Sequence, residues 1–266
     1  MARSALLNVM VQAAMKAGRS LSRDFGEVQN LQVSMKGPGD YVSQADRKAE
    51  EIIFQELSKG RPGYGFLMEE RGVVEGDDGQ HLWLVDPLDG TTNFLHGLPM
   101  FSVSIALERQ GQIVAAVIYN PAMDELYTAE RGGGAFLNDR RLRVAGRRAL
   151  SDTVIGTGVP HLGRGHHGKY LVELRNVMAE VSGIRRYGSV ALDLAYVAAG
   201  RLDGFWEAGL SAWDIAAGIL LVREAGGFAS DLEGGQDMLE TGGICAGNEL
   251  IHRALLKTVR LPYQPS

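Results

Sequence analysis

Cysteine is nearly missing from this chain of 266 residues: Cys245 is the only one, so no intrachain disulfide can form. A lone thiol fits a reducing compartment, which points to the cytoplasm, with Cys245 expected to be buried and inert. Long apolar runs are missing as well. The longest strongly apolar stretch, residues 113–119, is far too short to span a bilayer, and no cleavage site is apparent near the start. There Leu6, Met10, Ala13, Ala14 and Ala17 recur at helical spacing, the pattern of a helix facing a core. Positive charge is not in excess either. Lys and Arg number 27 against 32 Asp and Glu, and the formal net charge of −5 argues against a general nucleic-acid binder. No linker interrupts the sequence, and 45% hydrophobic content supports a full core, so the chain reads as one compact unit with two lobes, residues 1–150 and 151–266.

What is present is a run of chemistry-bearing residues after a strand-like stretch, His81-Leu82-Trp83-Leu84-Val85: Asp86-Pro87-Leu88-Asp89-Gly90-Thr91-Thr92-Asn93. Pro87 lacks an N–H and is expected to stop the ladder, bringing Asp86 and Asp89 to one side of the backbone. A helix starting near Thr91 offers amides and a dipole that favour an anion, while the aspartates beside it favour a cation. Metal and phosphate would meet at one bend.

Further acids lie at Asp46, at Glu69 and Glu70, and at Asp214. Four or five carboxylates brought together without a cation would repel one another into protonation. Bound divalent metal keeps them ionised. The donors are all oxygens, with no Cys/His spacing of a zinc site, which favours Mg²⁺, with Mn²⁺ as the alternative. Each motif alone has a plainer reading: Asp-x-x-Asp-Gly occurs in turns, Glu69-Glu70 could edge a solvated loop, and Asp214 could cap the helical pattern that follows it.

Taken together and in order, these segments resemble a family. Trp83 through Phe94 is similar to the first signature of the inositol monophosphatases, and Trp213-Asp214-Ile215-Ala216-Ala217-Gly218, with Glu224-Ala225-Gly226-Gly227, to the second. Asp40 through Asp46, Glu69-Glu70 and Gly188-Ser189 fall in the family's order, so the resemblance covers nearly the whole chain. Met68 departs from it, standing where glycine is frequent.

The resemblance implies a five-layer αβαβα sandwich and a Mg²⁺-dependent, lithium-sensitive phosphomonoesterase, homodimeric and binding two or three metal ions. It implies metal ligands at Glu69, Asp86, Asp89 and Asp214 and at the backbone carbonyl of Leu88. Thr91, oriented by Asp46, would hold the attacking water, with Glu69, Asp46 and Thr91 forming the catalytic set. Phosphate would meet the amides of Gly90 and Thr91, and Glu207 with the backbone near Gly188, Ser189 and Val190 would take the hydroxyls of a small phosphorylated polyol; Asp89 and Asp214 also border that substrate. Glu70 would be a supporting or additional metal contact, and Lys36 a loop residue near the phosphate. Inositol 1-phosphate is the favoured substrate. Fructose 1,6-bisphosphate, histidinol phosphate and a 3′-phosphonucleotide are the alternatives.

Helices are expected through residue 25, from residue 45, over 168–182 and from residue 190, and strands at 101–108, 113–119, 125–130, 154, 183–187 and 205–207. Arg140, Arg141, Arg143, Arg147 and Arg148, with Leu142 and Val144 between them, read as a strand with a solvated basic face. A regulatory protein contacting RNA or another protein through that strand is the competing function class. A salt bridge to Arg185, Arg186 or Arg201 is the competing role for Glu207. His96, His161, His166 and His167 lack a third ligand at suitable spacing and are assigned no role.

Overall fold

A computed structural model describes residues 3–27, 33–37, 40–161 and 165–262; the side chains of 33–37 and 40–43 lie outside the description. Helix α1 (Ala5–Phe25) starts at Ser4, whose hydroxyl accepts the Leu7 N–H at 3.0 Å, and buries Leu7, Met10, Ala13, Ala14 and Ala17. Strands β1 (Val33–Gly37) and β2 (Asp40–Ser43) form a small hairpin leading into α2 (Gln44–Gly60). Both helices cover one face of an eight-stranded sheet. Its strands are β3 (Gly65–Met68), β4 (Gly72–Val74), β5 (His81–Asp89), β6 (Ser102–Arg109), β7 (Gln112–Asn120), β8 (Glu125–Glu130), β9 (Gly134–Leu137) and β10 (Arg140–Arg141), in the order β10-β9-β8-β7-β6-β5-β3-β4. The β6–β7 hairpin turns on Gln110 and Gly111, both at positive φ, the conformation a tight hairpin requires.

The second sheet holds β11 (Val154–Thr157), β12 (Gly183–Arg185), β13 (Gly204–Ala208), β14 (Phe228–Ser230) and β15 (Gly243–Gly247), ordered β12-β11-β13-β15-β14. Between the sheets lie α5 (Val190–Ala198) and α6 (Ala212–Glu224), whose apolar residues occur on all sides because both helix faces are covered. On the far side of the second sheet pack α4 (His167–Met178) and α8 (Glu249–Val259), around Trp206, Ile155 and Cys245. Short α3 (Thr91–Leu95) and α7 (Met238–Thr241) complete the chain. Helices, sheet, helices, sheet, helices: this is the expected αβαβα sandwich. Cys245 is fully buried and unpaired, and burial pushes its thiol pKa up, as expected of an inert cysteine. No helix among the described residues is long and apolar enough to cross a membrane.

Three local expectations are corrected. Helix α4 stops at Met178, short of residue 182, because Val181 turns in to pack with the far core and Ser182 bonds Thr153. Strand β12 is likewise shorter than 183–187, since Tyr187 packs with the core between the sheets. The arginine segment is a strand only at Arg140–Arg141. Beyond it the chain crosses to the end of α6, Val144 donating to Ala225 and the Asn248 amide holding the carbonyls of Ala145 and Arg147. Arg147 pairs with the buried Asp203 at 3.0 Å. The arginines therefore do not share one strand face.

Candidate active site

Pro87 does not end the ladder: β5 continues through it to Asp89. Asp86 pairs with Ser104 and Asp89 with Ser102, so Pro87 and Leu88 together face a single residue, Val103. This bulge places the missing N–H of proline where no ladder bond is required. It also resets the alternation of the strand. Trp83, Val85 and Leu88 pack beneath α1 and α2, Leu84 packs between the sheets, and Asp86 and Asp89 emerge together on that inner side. Leu88 closes the bulge by donating its N–H to Asp86 Oδ1 at 2.9 Å.

Gly90 follows with φ +90°, and a Cβ there would sit 2.8 Å from the Met100 carbonyl, so conformation and space both require glycine. It starts α3, whose Asn93 amide donates to the carbonyls of Met100 (2.7 Å) and Tyr187 (2.7 Å) and so joins the first signature to the second sheet's side of the cleft. Asn93 was not singled out from sequence, although its place inside the signature was the available signal.

Two of the three cleft aspartates, Asp89 and Asp214, are fixed by helix starts. Asp89, 8% exposed, accepts the N–H groups of Ala191 (2.8 Å) and Val190 (3.3 Å) and the Ser189 hydroxyl, capping α5 from a residue about a hundred positions away. Asp214 reaches back to the Ser211 N–H at 2.7 Å, the carboxylate half of a capping box, so the capping role is present alongside its place in the cleft. Glu69 begins the turn after β3, its N–H on the Val85 carbonyl at 3.2 Å. That turn is held by Glu50, 3% exposed, which accepts the N–H groups of Glu70 (2.8 Å) and Arg71 (3.3 Å). Glu50 had not been singled out. Met68, the departure from the family, is a fully buried core residue ending β3.

Glu69, Asp86, Asp89 and Asp214 line one cleft of about 210 Å³, with Leu88, Gly90 and Thr91. Burial first, then the charges of Glu69, Asp89 and Asp214, hold the Asp86 carboxyl well above the ordinary carboxylate range. Burial pushes Asp89 up to about 6, against the pull of its bonds to Ser189, Ala191 and Val190. Several oxygens are turned to protein donors, and among the described residues no three acidic side chains converge into a finished metal cage. The donor chemistry still fits a hard divalent cation: four carboxylates and a carbonyl share one cleft, and Asp86 bears the repulsion of three acids that such a cation offsets.

At the other end of the cleft stands half-buried Glu207, on β13. Gly158 leaves it room, since a Cβ there would lie 1.8 Å from Glu207 Oε1. No salt bridge among the described residues joins Glu207 to an arginine; Arg201 pairs with Glu125 at 2.7 Å instead. Burial, then Asp214 and Asp89, push Glu207 up to about 8, with Arg186 pulling the other way. An acid whose folded pKa lies above its ordinary 4.5 binds more protons folded than unfolded across that window, so stability falls as pH rises from 4.5 to about 8. In chelator, Glu207→Gln should flatten this slope in thermal unfolding measured against pH. A slope identical to wild type would show that Glu207 titrates normally.

The remaining expected residues are placed as follows. Thr91 lines the cleft and its hydroxyl donates to the Leu88 carbonyl at 3.0 Å. Asp46 is buried in the first turn of α2 and does not line the cleft. Gly188 and Ser189 line the cleft, but the fully buried Ser189 hydroxyl is committed to Asp89. Glu70 does not line it, and the side chain of Lys36 lies outside the described residues. Arg186, weighed from sequence only as a salt-bridge partner for Glu207, and His161, assigned no role, also line the cleft, His161 with its Nδ1 3.2 Å from the Val159 carbonyl.

The model of the inositol monophosphatase family matches residues 2–261. The chain belongs to the inositol monophosphatase family. It is 84% identical to an inositol-1-monophosphatase of Mesorhizobium japonicum over 262 residues, 98% of each chain. The crystal structure of the extragenic suppressor protein suhB from Bartonella henselae superposes with a TM-score of 0.96 at 70% identity, covering 98% of this chain and all of that one. A protein of Pseudomonas aeruginosa named Nus factor SuhB is 46% identical across 98% of both chains. Family membership makes the chain a phosphatase, of a family that is generally metal-dependent.

Proposed function

We propose that the protein hydrolyses myo-inositol 1-phosphate to inositol and phosphate, with Mg²⁺ as its metal. The observation that carries this reading is the placement of four carboxylates, an amide-lined turn and Glu207 around one cleft. Glu69, Asp86, Asp89, Asp214 and the Leu88 carbonyl would hold two or three Mg²⁺ ions, Mn²⁺ being the alternative. Such a metal, held by these oxygens, would supply acidification of a water and stabilisation of the leaving alkoxide. The N–H groups of Gly90 and Thr91 donate to phosphate oxygens, aided by the start of α3. The Thr91 hydroxyl holds the attacking water in line, with Asp46 setting its orientation from behind and Glu69 completing the set. Glu207, with the backbone of Gly188 and Ser189, binds ring hydroxyls, and an analogue lacking them leaves a partly buried carboxyl unpaired.

Glu207→Ala tests this division. KM for inositol 1-phosphate should rise about tenfold or more, the worth of one lost polar contact, and the loss in kcat/KM on a simple aryl phosphate should be much smaller because it carries no ring hydroxyls. Equal losses on both would place Glu207 in the chemical step or the fold.

A second reading, a regulatory binding role on the same fold, is favoured by the relative named Nus factor SuhB. It predicts binding to RNA or a protein partner that survives Asp86→Asn, through surface such as exposed Arg140, Arg141, Arg143 and Arg148.

A further inference from the structure

Asp193 has no part in the reading above, yet it is the most conspicuous side chain left over in the cleft. It lies in the first turn of α5 and is 1% exposed. Its Oδ1 is shielded from water and meets no hydrogen-bond partner among the described residues. It nevertheless lines the same cleft as Glu207 and Arg186. A buried carboxylate oxygen without a donor is among the costlier features a core can hold, and a hydrophobic residue would fill the space more cheaply.

Asp193 and Glu207 each approach a glycine in or just beyond β11 of the second sheet. A Cβ on Gly156 would meet Leu202 Cδ1 at 2.8 Å, Phe205 Cδ2 at 3.0 Å and Asp193 Oδ1 at 3.3 Å, and one on Gly158 would lie 1.8 Å from Glu207 Oε1. Gly156 is within β11 and Gly158 just beyond its end, two residues apart, so both face the same side of the chain. Two residues of strand span about 6–7 Å. The two carboxyls therefore approach the same side of this segment, and among the described residues no hydrogen bond joins them. Arg186 bears on both as a cation, and burial, then Glu207 and Asp89, hold Asp193 well above the ordinary carboxylate range.

We propose that Asp193 is a specificity-determining residue: with Glu207 it forms a two-carboxyl receptor for neighbouring hydroxyls on the polyol half of the substrate. A hydroxyl between them bonds to both, donating to one and accepting from whichever carboxyl is protonated. The pair also repels a substrate carrying its own carboxylate at that position. This rests on the polyol-phosphatase reading, whereas the geometry of the pair does not.

The test compares wild type, Asp193→Ala and the near-isosteric Asp193→Asn on myo-inositol 1-phosphate, on analogues each lacking one ring hydroxyl, and on an aryl phosphate. Asp193→Ala should raise KM for inositol 1-phosphate about tenfold, a loss several times larger than on the aryl phosphate. One deoxy analogue, poor for wild type, should be handled by Asp193→Ala as well as the parent, because the hydroxyl and the carboxyl that bind each other are then both gone. Asp193→Asn should show part of the same loss. Substrate-free thermal unfolding of both variants should be unchanged or raised, since an unpartnered carboxyl has been removed. Unaltered discrimination among the deoxy analogues in the soluble variants would overturn the proposal, as would equal losses on all substrates with a lowered Tm. If Asp193→Ala does not fold, Asp193→Asn decides by the same discrimination. Should wild type ignore inositol 1-phosphate, the functional reading falls by that result alone; the discrimination is then measured on whichever sugar phosphate wild type hydrolyses fastest, with its deoxy forms.

Discussion

Asp86→Asn is expected to lower phosphate release by about 10³-fold or more, the scale of losing a principal electrostatic contact to the transition state. Asp86 is 2% exposed, carries the repulsion of Glu69, Asp89 and Asp214, and sits at the head of the bulge that aims two aspartates into the cleft. Asparagine keeps its shape and its acceptor for the Leu88 N–H, but removes the charge. The fold should survive. Removing a buried charge that its neighbours repel should leave metal-free Tm unchanged or raised, with the near-ultraviolet spectrum retained. Excess chelator should abolish wild-type release and added Mg²⁺ should restore it. A variant keeping more than a tenth of the wild-type rate would remove Asp86 from the centre of the site.

Thr91→Ala should lower kcat by roughly 10²-fold with little change in KM or in the Mg²⁺ dependence, the amount expected for one preorganised contact. Its N–H survives the substitution, so phosphate binding is retained. In this structure the hydroxyl donates to the Leu88 carbonyl, which ties it to the bulge, and Asp46 lies buried behind the cleft. If Asp46 acts only by orienting that hydroxyl, Asp46→Asn should lose activity through the same element, and the double variant should lose far less than the product of the single losses. Multiplying losses, with metal dependence intact, would mean that the nucleophile is held without this pair.

Contiguous features were legible in the sequence. Asp86, Asp89 and Gly90 lie within five residues, and their proximity needs no tertiary fold; likewise Asp214 beside a helical pattern announces a helix start. The bulge at Pro87 was not legible, because a proline that ends a strand and one absorbed by a bulge look alike until the partner strand is known. Long-range bonds were hidden for the same reason. Ser189 read as substrate-side backbone, but its hydroxyl lies on Asp89, and nothing adjacent to Glu50 in sequence shows that it carries the Glu69–Glu70 turn. The layer order came from family resemblance, since alternating strands and helices fit several sandwiches. Gly156 and Gly158 did leave a signal: glycines at alternate positions in and just beyond a strand mark the close approach of something from another element. The arginine segment misled because alternation of arginine with Leu142 and Val144 imitates a strand, while the side chain of Asn248 holds it as a crossing loop.

The most direct test of the central claim is phosphate release by the purified protein from inositol 1-phosphate, fructose 1,6-bisphosphate, histidinol phosphate and a 3′-phosphonucleotide, each with Mg²⁺ and with chelator. The expected result is release from all that fit the cleft only when Mg²⁺ is present, with inositol 1-phosphate giving the highest kcat/KM. Mg²⁺-independent release, or no release from any of the four, would contradict it.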